Sequence, residues 1–170
     1  MNLRRGSIVA VLVFAAARAA CAGEFPWKAG DDPPAVAGVA LGDTAAKARQ
    51  VLGPPASTRT MGVADLLLYP RLGLEVIATD TDGVSIIRLR AAKAGAIDGI
   101  RVGDSADMVT RKWGAPHVGQ GRTGLYNAGV WTVSVRLAPA APRIVDILLG
   151  WNTTKFPDFD PNKSQFFRPK

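Results

Sequence analysis

Cysteine is almost absent from this chain of 170 residues, which contains only Cys21. A lone thiol forms no intramolecular disulfide and cannot supply the thiolates of a structural zinc site or a redox pair. Histidine is equally scarce, with His117 as the one example, and the glutamates are Glu24 and Glu75. No Gly-x-Ser-x-Gly motif accompanies the histidine. These absences favour a protein that is not an enzyme and that holds no metal or cofactor.

Long apolar runs are missing as well, because a bilayer-spanning helix takes roughly 20 residues and the longest run here covers residues 8–17. That run follows two arginines and precedes Ala20-Cys21-Ala22, the small-x-small pattern of an export signal. We therefore predict cleavage after Ala22 and a periplasmic or secreted mature chain. Lipidation at Cys21 is the less favoured alternative, since Arg18 stands where lipoprotein signals usually carry Leu.

The charge excess is small. The chain has 21 basic and 14 acidic side chains, a formal charge of +7, and three of the arginines lie in the predicted signal. A surplus of this size favours acidic partners slightly, but it lacks the concentrated basic patch of a nucleic-acid-binding protein. The hydrophobic share of 48% and the charged share of 21% are typical of a globular domain.

An internal repeat organises the mature chain. Residues 38–55 (GVALGDTAAKARQVLGPP) align without gaps with residues 99–116 (GIRVGDSADMVTRKWGAP). Each copy predicts a short helix that begins after an N-cap, Thr44 or Ser105, and ends at Gly53 or Gly114. Helices of about nine residues are too short to be stable alone, so each must pack on another element.

Apolar and β-branched runs follow each predicted helix. They predict three strands in the first copy, at residues 63–69, 72–79 and 84–90, with Asp82-Gly83 as a hairpin turn. In the second copy the predicted strands are 124–127, 130–137 and 143–149. The predicted fold class is therefore α+β, with two tandem helix-plus-antiparallel-sheet repeats and both helices packed on one face of the sheet.

This arrangement resembles a known superfamily. The pattern Gly-Asp-[Thr/Ser]-x-x-x-[Ala/Val]-x-x-x-[Leu/Trp]-Gly-x-Pro, followed by Leu-Tyr and Val-x-x-Ile strands, is similar to the unit of the SmpA/OmlA outer-membrane assembly lipoproteins and of the β-lactamase inhibitor proteins, which carry two units. The resemblance spans about residues 36–150 and implies that the chain acts by binding another protein through its sheet face. No inhibitory residue matches by position, and the disulfides of the secreted inhibitors are absent.

The resemblance and the strand pattern together predict a binding surface. Alternation within 130–137 puts Trp131 on one side of its strand and Arg136 on the other. Arginines and aromatic residues dominate binding hot spots. The predicted partner-binding residues are Arg88, Arg90, Arg136, Trp131, Tyr69 and Tyr126. The open alternative is that Trp131 belongs to the core and that the arginines only keep the sheet soluble.

The remaining prediction concerns organisation and alternative functions. We predict a signal at 1–22, a linker at 23–35, repeat units at 36–93 and 94–150, and a tail at 151–170 that mixes aromatic and basic residues. Such a tail can dock on an anionic membrane surface, so an envelope-associated structural protein is one alternative. A hydrolase with an unrecognised carboxylate site is the other. The favoured function is an inhibitor or an envelope assembly factor that binds another protein.

Overall fold

A computed structural model describes residues 23–152. The predicted export signal and residues 153–170 of the predicted tail lie outside the described residues and stay predictions. Within the described part of the chain, no helix is both long and apolar enough to cross a membrane.

Two helices and eight strands make up the fold. In chain order they are α1 (Ala45–Leu52), β1 (Ser57–Met61), β2 (Ala64–Tyr69), β3 (Leu74–Thr79), β4 (Gly83–Leu89), α2 (Ala106–Trp113), β5 (Val118–Gln120), β6 (Thr123–Asn127), β7 (Trp131–Leu137) and β8 (Ile144–Trp151). A single 3-10 turn, Ala92–Ala94, lies between β4 and α2.

The predicted helix caps are confirmed. The side chain of Thr44 accepts a hydrogen bond from the amide of Lys47, and that of Ser105 accepts one from Met108. Each bond satisfies a first-turn amide that has no partner inside the helix. Gly53 and Gly114 end the helices with positive φ angles of 81° and 73°.

All eight strands form one antiparallel sheet, in the order β1-β2-β3-β4-β8-β7-β6-β5. The joint in the middle is the pairing of β4 with β8, whose register runs from Ile86 opposite Gly150 to Leu89 opposite Ile147. Hairpins account for the pairings on either side of this joint, while β4 and β8 are separated by more than fifty residues of sequence.

The predicted fold class is wrong. The chain folds as one continuous, sheet-dominated structure with two short helices, and not as two helix-plus-sheet repeats. Four strands follow each helix where three were predicted. The missed strands are β1, whose first four side chains are exposed, and β5, which has only three residues. Neither has the alternation of apolar and polar residues by which a half-buried strand is recognised.

One face of the sheet carries the main core. Buried residues of both helices, Ala48, Val109 and Trp113, belong to the same apolar cluster as alternate residues of the strands. The N-terminal segment adds Phe25, whose ring stacks on Tyr126 with centroids 5.2 Å apart and meets Trp113 edge-on at 5.7 Å. This covered side defines the opposite side, which we call the open face.

Gly83, in the predicted Asp82-Gly83 hairpin turn, also makes a close backbone contact. Its φ is +66°, and a Cβ atom there would lie 2.5 Å from the carbonyl oxygen of Asp43. The neighbouring Val84 amide donates to that same oxygen at 2.6 Å, which ties the turn before α1 to the sheet. The turn therefore needs glycine both for its conformation and for the space.

We expect Gly83→Ala to lower the free energy of unfolding by more than Gly62→Ala. Gly62 has a similar φ of +63° but no heavy atom within 4 Å of the added Cβ, so its variant pays only the conformational cost. That cost is about 1–3 kcal/mol for a left-handed residue other than glycine. Urea unfolding of both variants measures the difference, and equal losses would refute the close contact at Gly83.

Candidate binding face

The open face carries an apolar cluster on strands β1–β4 and the adjoining β8. Its buried members come from three adjacent strands, β2, β3 and β4, with partly buried neighbours around them. The cluster consists of Leu66, Ile77 and Ile86 together with Met61, Ala64, Leu68 and Leu148. It is separate from the main core because side chains alternate across each strand. No described helix packs against this cluster.

A charged cluster adjoins the apolar one across the middle of the sheet. Arg88 on β4 makes a two-pronged contact with Asp146 on β8, with Nε to Oδ1 at 2.8 Å and Nη2 to Oδ2 at 2.5 Å. Arg136 on β7 donates to the same Oδ2 at 2.7 Å. On the other side, Nη1 of Arg88 lies 3.4 Å from Oε2 of Glu75 on β3. We call these four residues the arginine–carboxylate cluster.

Burial makes the centre of this cluster structurally demanding. Arg88 is 2% exposed and Asp146 is 6% exposed. A charge is held at such a depth only when it is paired and hydrogen-bonded, which the two-pronged contact achieves. The Nε atom of Arg136 is buried and has no hydrogen-bond partner among the described residues. The side chain as a whole is 35% exposed, so the outer part of its guanidinium can interact with a further acceptor.

The open face has a positive charge surplus. Among residues 23–152, four arginines, namely Arg59, Arg88, Arg90 and Arg136, lie on its strands or directly after them, against two carboxylates, Glu75 and Asp146. Arg59 and Arg90 are exposed, and Nε of Arg90 is 3.9 Å from Glu75. A surface that joins an apolar cluster to the exposed Arg59 and Arg90 fits a partner with apolar and acidic groups.

The structure divides the predicted binding residues between the two faces. Arg88, Arg90 and Arg136 share the open face, but Arg88 is 2% exposed, so the predicted contact of its side chain with a partner is wrong. Trp131, Tyr69 and Tyr126 are 0%, 4% and 2% exposed and belong to the main core. The prediction that these three residues contact a partner is wrong, because a buried side chain on the covered face cannot reach one. Trp131 lies in the core, which was the open alternative.

Sequence reasoning missed both carboxylates of the cluster. The available signal was Asp146, a charged residue between Val145 and Ile147 in an apolar run. A carboxylate within such a strand needs a cationic partner, and Arg88 and Arg136 were the candidates on neighbouring strands. Which strands are neighbours depends on the β4–β8 pairing, and no local pattern shows that pairing.

His117 has a structural position. Its Nδ1 accepts a hydrogen bond from the amide of Asn127 at 2.8 Å, and its ring meets Phe25 edge-on at 5.9 Å.

The surface has two open depressions. One, of about 330 Å³, is bordered by the β7–β8 loop, and the other, of about 210 Å³, is bordered by α2 and by β5–β7. Neither has a carboxylate in its lining, so neither offers the acid pair that the hydrolase alternative requires.

Burial raises the pKa of both tyrosine phenols above their ordinary value of 10.0. At Tyr69 the positive charge of Arg49 opposes the effect without cancelling it. Tyr126 also donates its hydroxyl proton to the carbonyl oxygen of Gly114 at 3.3 Å. Because the folded pKa is the higher one, this contribution to stability is fully present below about pH 10 and is lost as the pH rises through the folded value.

We expect the folded chain to develop less phenolate absorbance than the unfolded chain at about pH 10, where the unfolded chain is half ionised. The chain has two tyrosines, so the near-ultraviolet signal reports on these two alone. A spectrophotometric titration in buffer, repeated in denaturant as the control, measures both states. Superimposed curves would show that the phenols are accessible to solvent in the folded chain.

Comparison with known proteins concerns the fold. No protein-family model and no curated protein matches the chain. Solved structures with a similar fold include an extracellular protein containing an SCP domain from Bacillus anthracis str. Ames, with a TM-score of 0.55 and 10% identity over 68% of this chain and 45% of that one. A cysteine-rich secretory protein from Staphylococcus aureus has a TM-score of 0.58 and 8% identity over 78% of this chain and 51% of that one.

A third structure, a DUF4309 family protein from Bacillus subtilis, has a TM-score of 0.45 and 11% identity over 64% of this chain and 78% of that one, too low to carry an argument. This chain spans about half the length of the first two proteins. At such identities the similarity shows a shared fold for that part and nothing about activity. The resemblance to the inhibitor and assembly-lipoprotein superfamily is not tested by these structures and stays a prediction.

Proposed function

We propose that this chain is an exported, non-enzymatic protein-binding module that contacts an acidic partner protein through the open face of its sheet. Processing after Ala22 releases it into the periplasm or the surrounding medium. The observation that carries the proposal is the open face itself, where the apolar cluster adjoins the exposed Arg90 and the partly exposed Arg136. Export is supported by the leader pattern and by the extracellular or secretory description of two proteins of similar fold.

The contacts divide the work of binding between two kinds of residue. The partly buried members of the apolar cluster, Met61, Ala64, Leu68 and Leu148, supply non-directional attraction through the surface that binding removes from water. Arg90 and Arg136 lie at the accessible rim of the arginine–carboxylate cluster and select carboxylates on the partner. Arg88 has a different task, because it is buried and holds Asp146, and through Asp146 it positions Arg136.

The test compares two double variants of the chain 23–170 with the same change in charge. Arg90→Gln with Arg136→Gln alters the open face, while Arg71→Gln with Arg111→Gln alters exposed positions in the β2–β3 turn and in α2. We expect a single dominant partner in cell-envelope and culture extracts, captured by the wild type and by the control variant. The open-face variant should bind it at least about tenfold more weakly, since losing a charged contact costs 2–5 kcal/mol at a buried pair and less at a rim.

Binding measured at increasing salt, and with a truncated chain, distinguishes the open face from the tail as the binding site. Binding that depends on Arg90 and Arg136 should weaken as salt is added, because screening acts on exposed charges. Equal capture by the two double variants would contradict the proposal. A chain that ends at Asn152 should still bind; loss of capture on this truncation alone would instead favour docking through residues 153–170, the envelope-associated alternative.

A further inference from the structure

Gly23, the first described residue, lies at the C-terminal end of α2. Its backbone nitrogen donates a hydrogen bond to the carbonyl oxygen of Arg111 at 2.9 Å. Two residues later Phe25 is 5% exposed, and its ring lies among those of Trp113 and Tyr126. The segment that begins at Gly23 is therefore part of the packed fold.

No side chain fits at this position. A Cβ atom on Gly23 would lie 2.1 Å from the carbonyl oxygen of Lys112 and 2.5 Å from that of Arg111. The opposing residue is equally restricted, since a Cβ on Gly114 would lie 2.4 Å from the carbonyl oxygen of Gly23. Real Cβ atoms essentially never approach backbone oxygens this closely, so the contact requires glycine on both sides.

The last carbonyl groups of a helix have no donors within the helix and carry partial negative charge. In α2 the amide of Gly114 donates to the oxygen of Thr110 at 2.9 Å, and Gly23 donates to that of Arg111. A peptide nitrogen offers one proton and no charge. An α-ammonium at the same place offers three protons and a positive charge, so it suits the end of a helix better.

We propose that the amino group exposed on Gly23 by removal of residues 1–22 is a charged cap for α2, and that this removal thereby stabilises the fold. The inference rests on the proposed export step. In that step water adds across the Ala22–Gly23 peptide bond, leaving a carboxylate on Ala22 and an ammonium on Gly23. The peptide hydrogen bond to Arg111 becomes a charge-assisted one.

The neighbouring cations, Lys112 and Arg111, do not cancel the attraction between the Gly23 ammonium and the carbonyl groups of α2. The Nζ atom of Lys112 lies 3.1 Å from Oδ1 of Asp98, which offsets its charge. Arg111 is exposed, and water screens its guanidinium. The carbonyl oxygen of Arg111, 2.9 Å away, is the hydrogen-bond acceptor of the Gly23 nitrogen.

Four chains test the proposal by thermal unfolding. One begins at Gly23 with a free amine, one is the same chain with that amine acetylated, one begins at Ala22, and one carries Gly23→Ala with a free amine. Acetylation keeps the amide donor and the space of the preceding residue but removes the charge. The chain from Ala22 keeps a free ammonium but moves it one residue away from the helix end.

We expect the chain from Gly23 to have the highest Tm. The acetylated chain and the chain from Ala22 should both unfold about 3–6 °C lower, because each keeps the hydrogen bond and loses the charge at that position. Gly23→Ala should have a lower Tm than the chain from Gly23, since it cannot make the close contact. Equal Tm values for the free and acetylated Gly23 chains would overturn the proposal.

The outcome is separable from that of the export step. The four chains are prepared by cleavage in vitro or by synthesis and ligation, so their stability does not depend on where a cell processes the protein. The intact mass of the chain recovered from outside the cytoplasm reports the processing site independently. A higher Tm for the free Gly23 chain than for the acetylated one, with processing at another site, would refute export processing after Ala22 but not the stabilising effect of the ammonium. Equal Tm values, with processing after Ala22, would refute the charged cap alone.

Discussion

Replacing Asp146 by alanine should lower the free energy of unfolding by about 3–5 kcal/mol, among the largest effects available in this chain. The carboxylate accepts hydrogen bonds from both Arg88 and Arg136. Without it, Arg88 retains the longer 3.4 Å contact with Glu75, while its charge stays at a depth where only 2% of the residue is exposed. The cost comes from removing the two-pronged carboxylate contact of a buried charge.

The same reasoning predicts that removing both buried charges is far milder than removing one. We expect Arg88→Met with Asp146→Leu to recover most of the stability lost in Asp146→Ala, because apolar residues of similar volume replace a buried ion pair with little loss. Arg136 can then turn to solvent, since its side chain is already 35% exposed. Urea unfolding of the single and double variants measures this.

The matched control is an ion pair at the start of α1. The Nζ atom of Lys47 lies 2.8 Å from Oδ1 of Asp43, but the Lys47 side chain is 54% exposed. Lys47→Ala should therefore cost under about 1 kcal/mol. A loss from Asp146→Ala no larger than that from Lys47→Ala would show that the arginine–carboxylate cluster is not a buried structural element.

Replacing Trp131 by alanine should cost about 3–5 kcal/mol as well, through a cavity in the main core. The residue is fully buried, its Nε1 donates to the carbonyl oxygen of Asp31 at 2.8 Å, and its ring meets that of Trp27 edge-on at 5.5 Å. The adjacent Val130 is 58% exposed, so Val130→Ala should change stability by under about 0.5 kcal/mol.

A second variant, Trp131→Phe, distinguishes a core role from a binding role for Trp131. It keeps most of the apolar volume, and we expect it to remain folded and to bind the partner as the wild type does. Calorimetry gives the stability and the capture assay gives the binding. A stable Trp131→Phe chain with partner binding reduced as far as in the open-face variant would place Trp131 in the interface and contradict its position in the core.

Local chemistry accounts for what could be predicted from the sequence. Thr44 and Ser105 cap helices wherever they precede an amphipathic run, because the cap involves only the first helical turn. Asp82-Gly83 turns the chain for an equally local reason. The alternation in 130–137 placed Trp131 and Arg136 on opposite sides of β7 before any partner strand was known.

Non-local pairing accounts for what could not. Two separate sheets and one continuous sheet differ by the β4–β8 ladder, which joins Ile86–Leu89 to residues far along the chain. Alternation shows that two faces exist, but it does not show which face the helices cover. For that reason the sequence separates Trp131 from Arg136 but does not assign Trp131 to the core. Asp146 was missed because its role depends on having β4 and β7 on either side of β8.

Site-specific photocrosslinking in the producing cells is the most direct test of the open-face account. A photoreactive residue replaces Leu68 or Leu125 on the open face, and Gln50 or Thr110 on the helix side as controls. The account predicts adducts to one and the same protein from both open-face positions and none from the helix side, with fewer adducts when Arg90→Gln and Arg136→Gln are added. Adducts to that protein from Gln50 or Thr110, with none from Leu68 and Leu125, would contradict it.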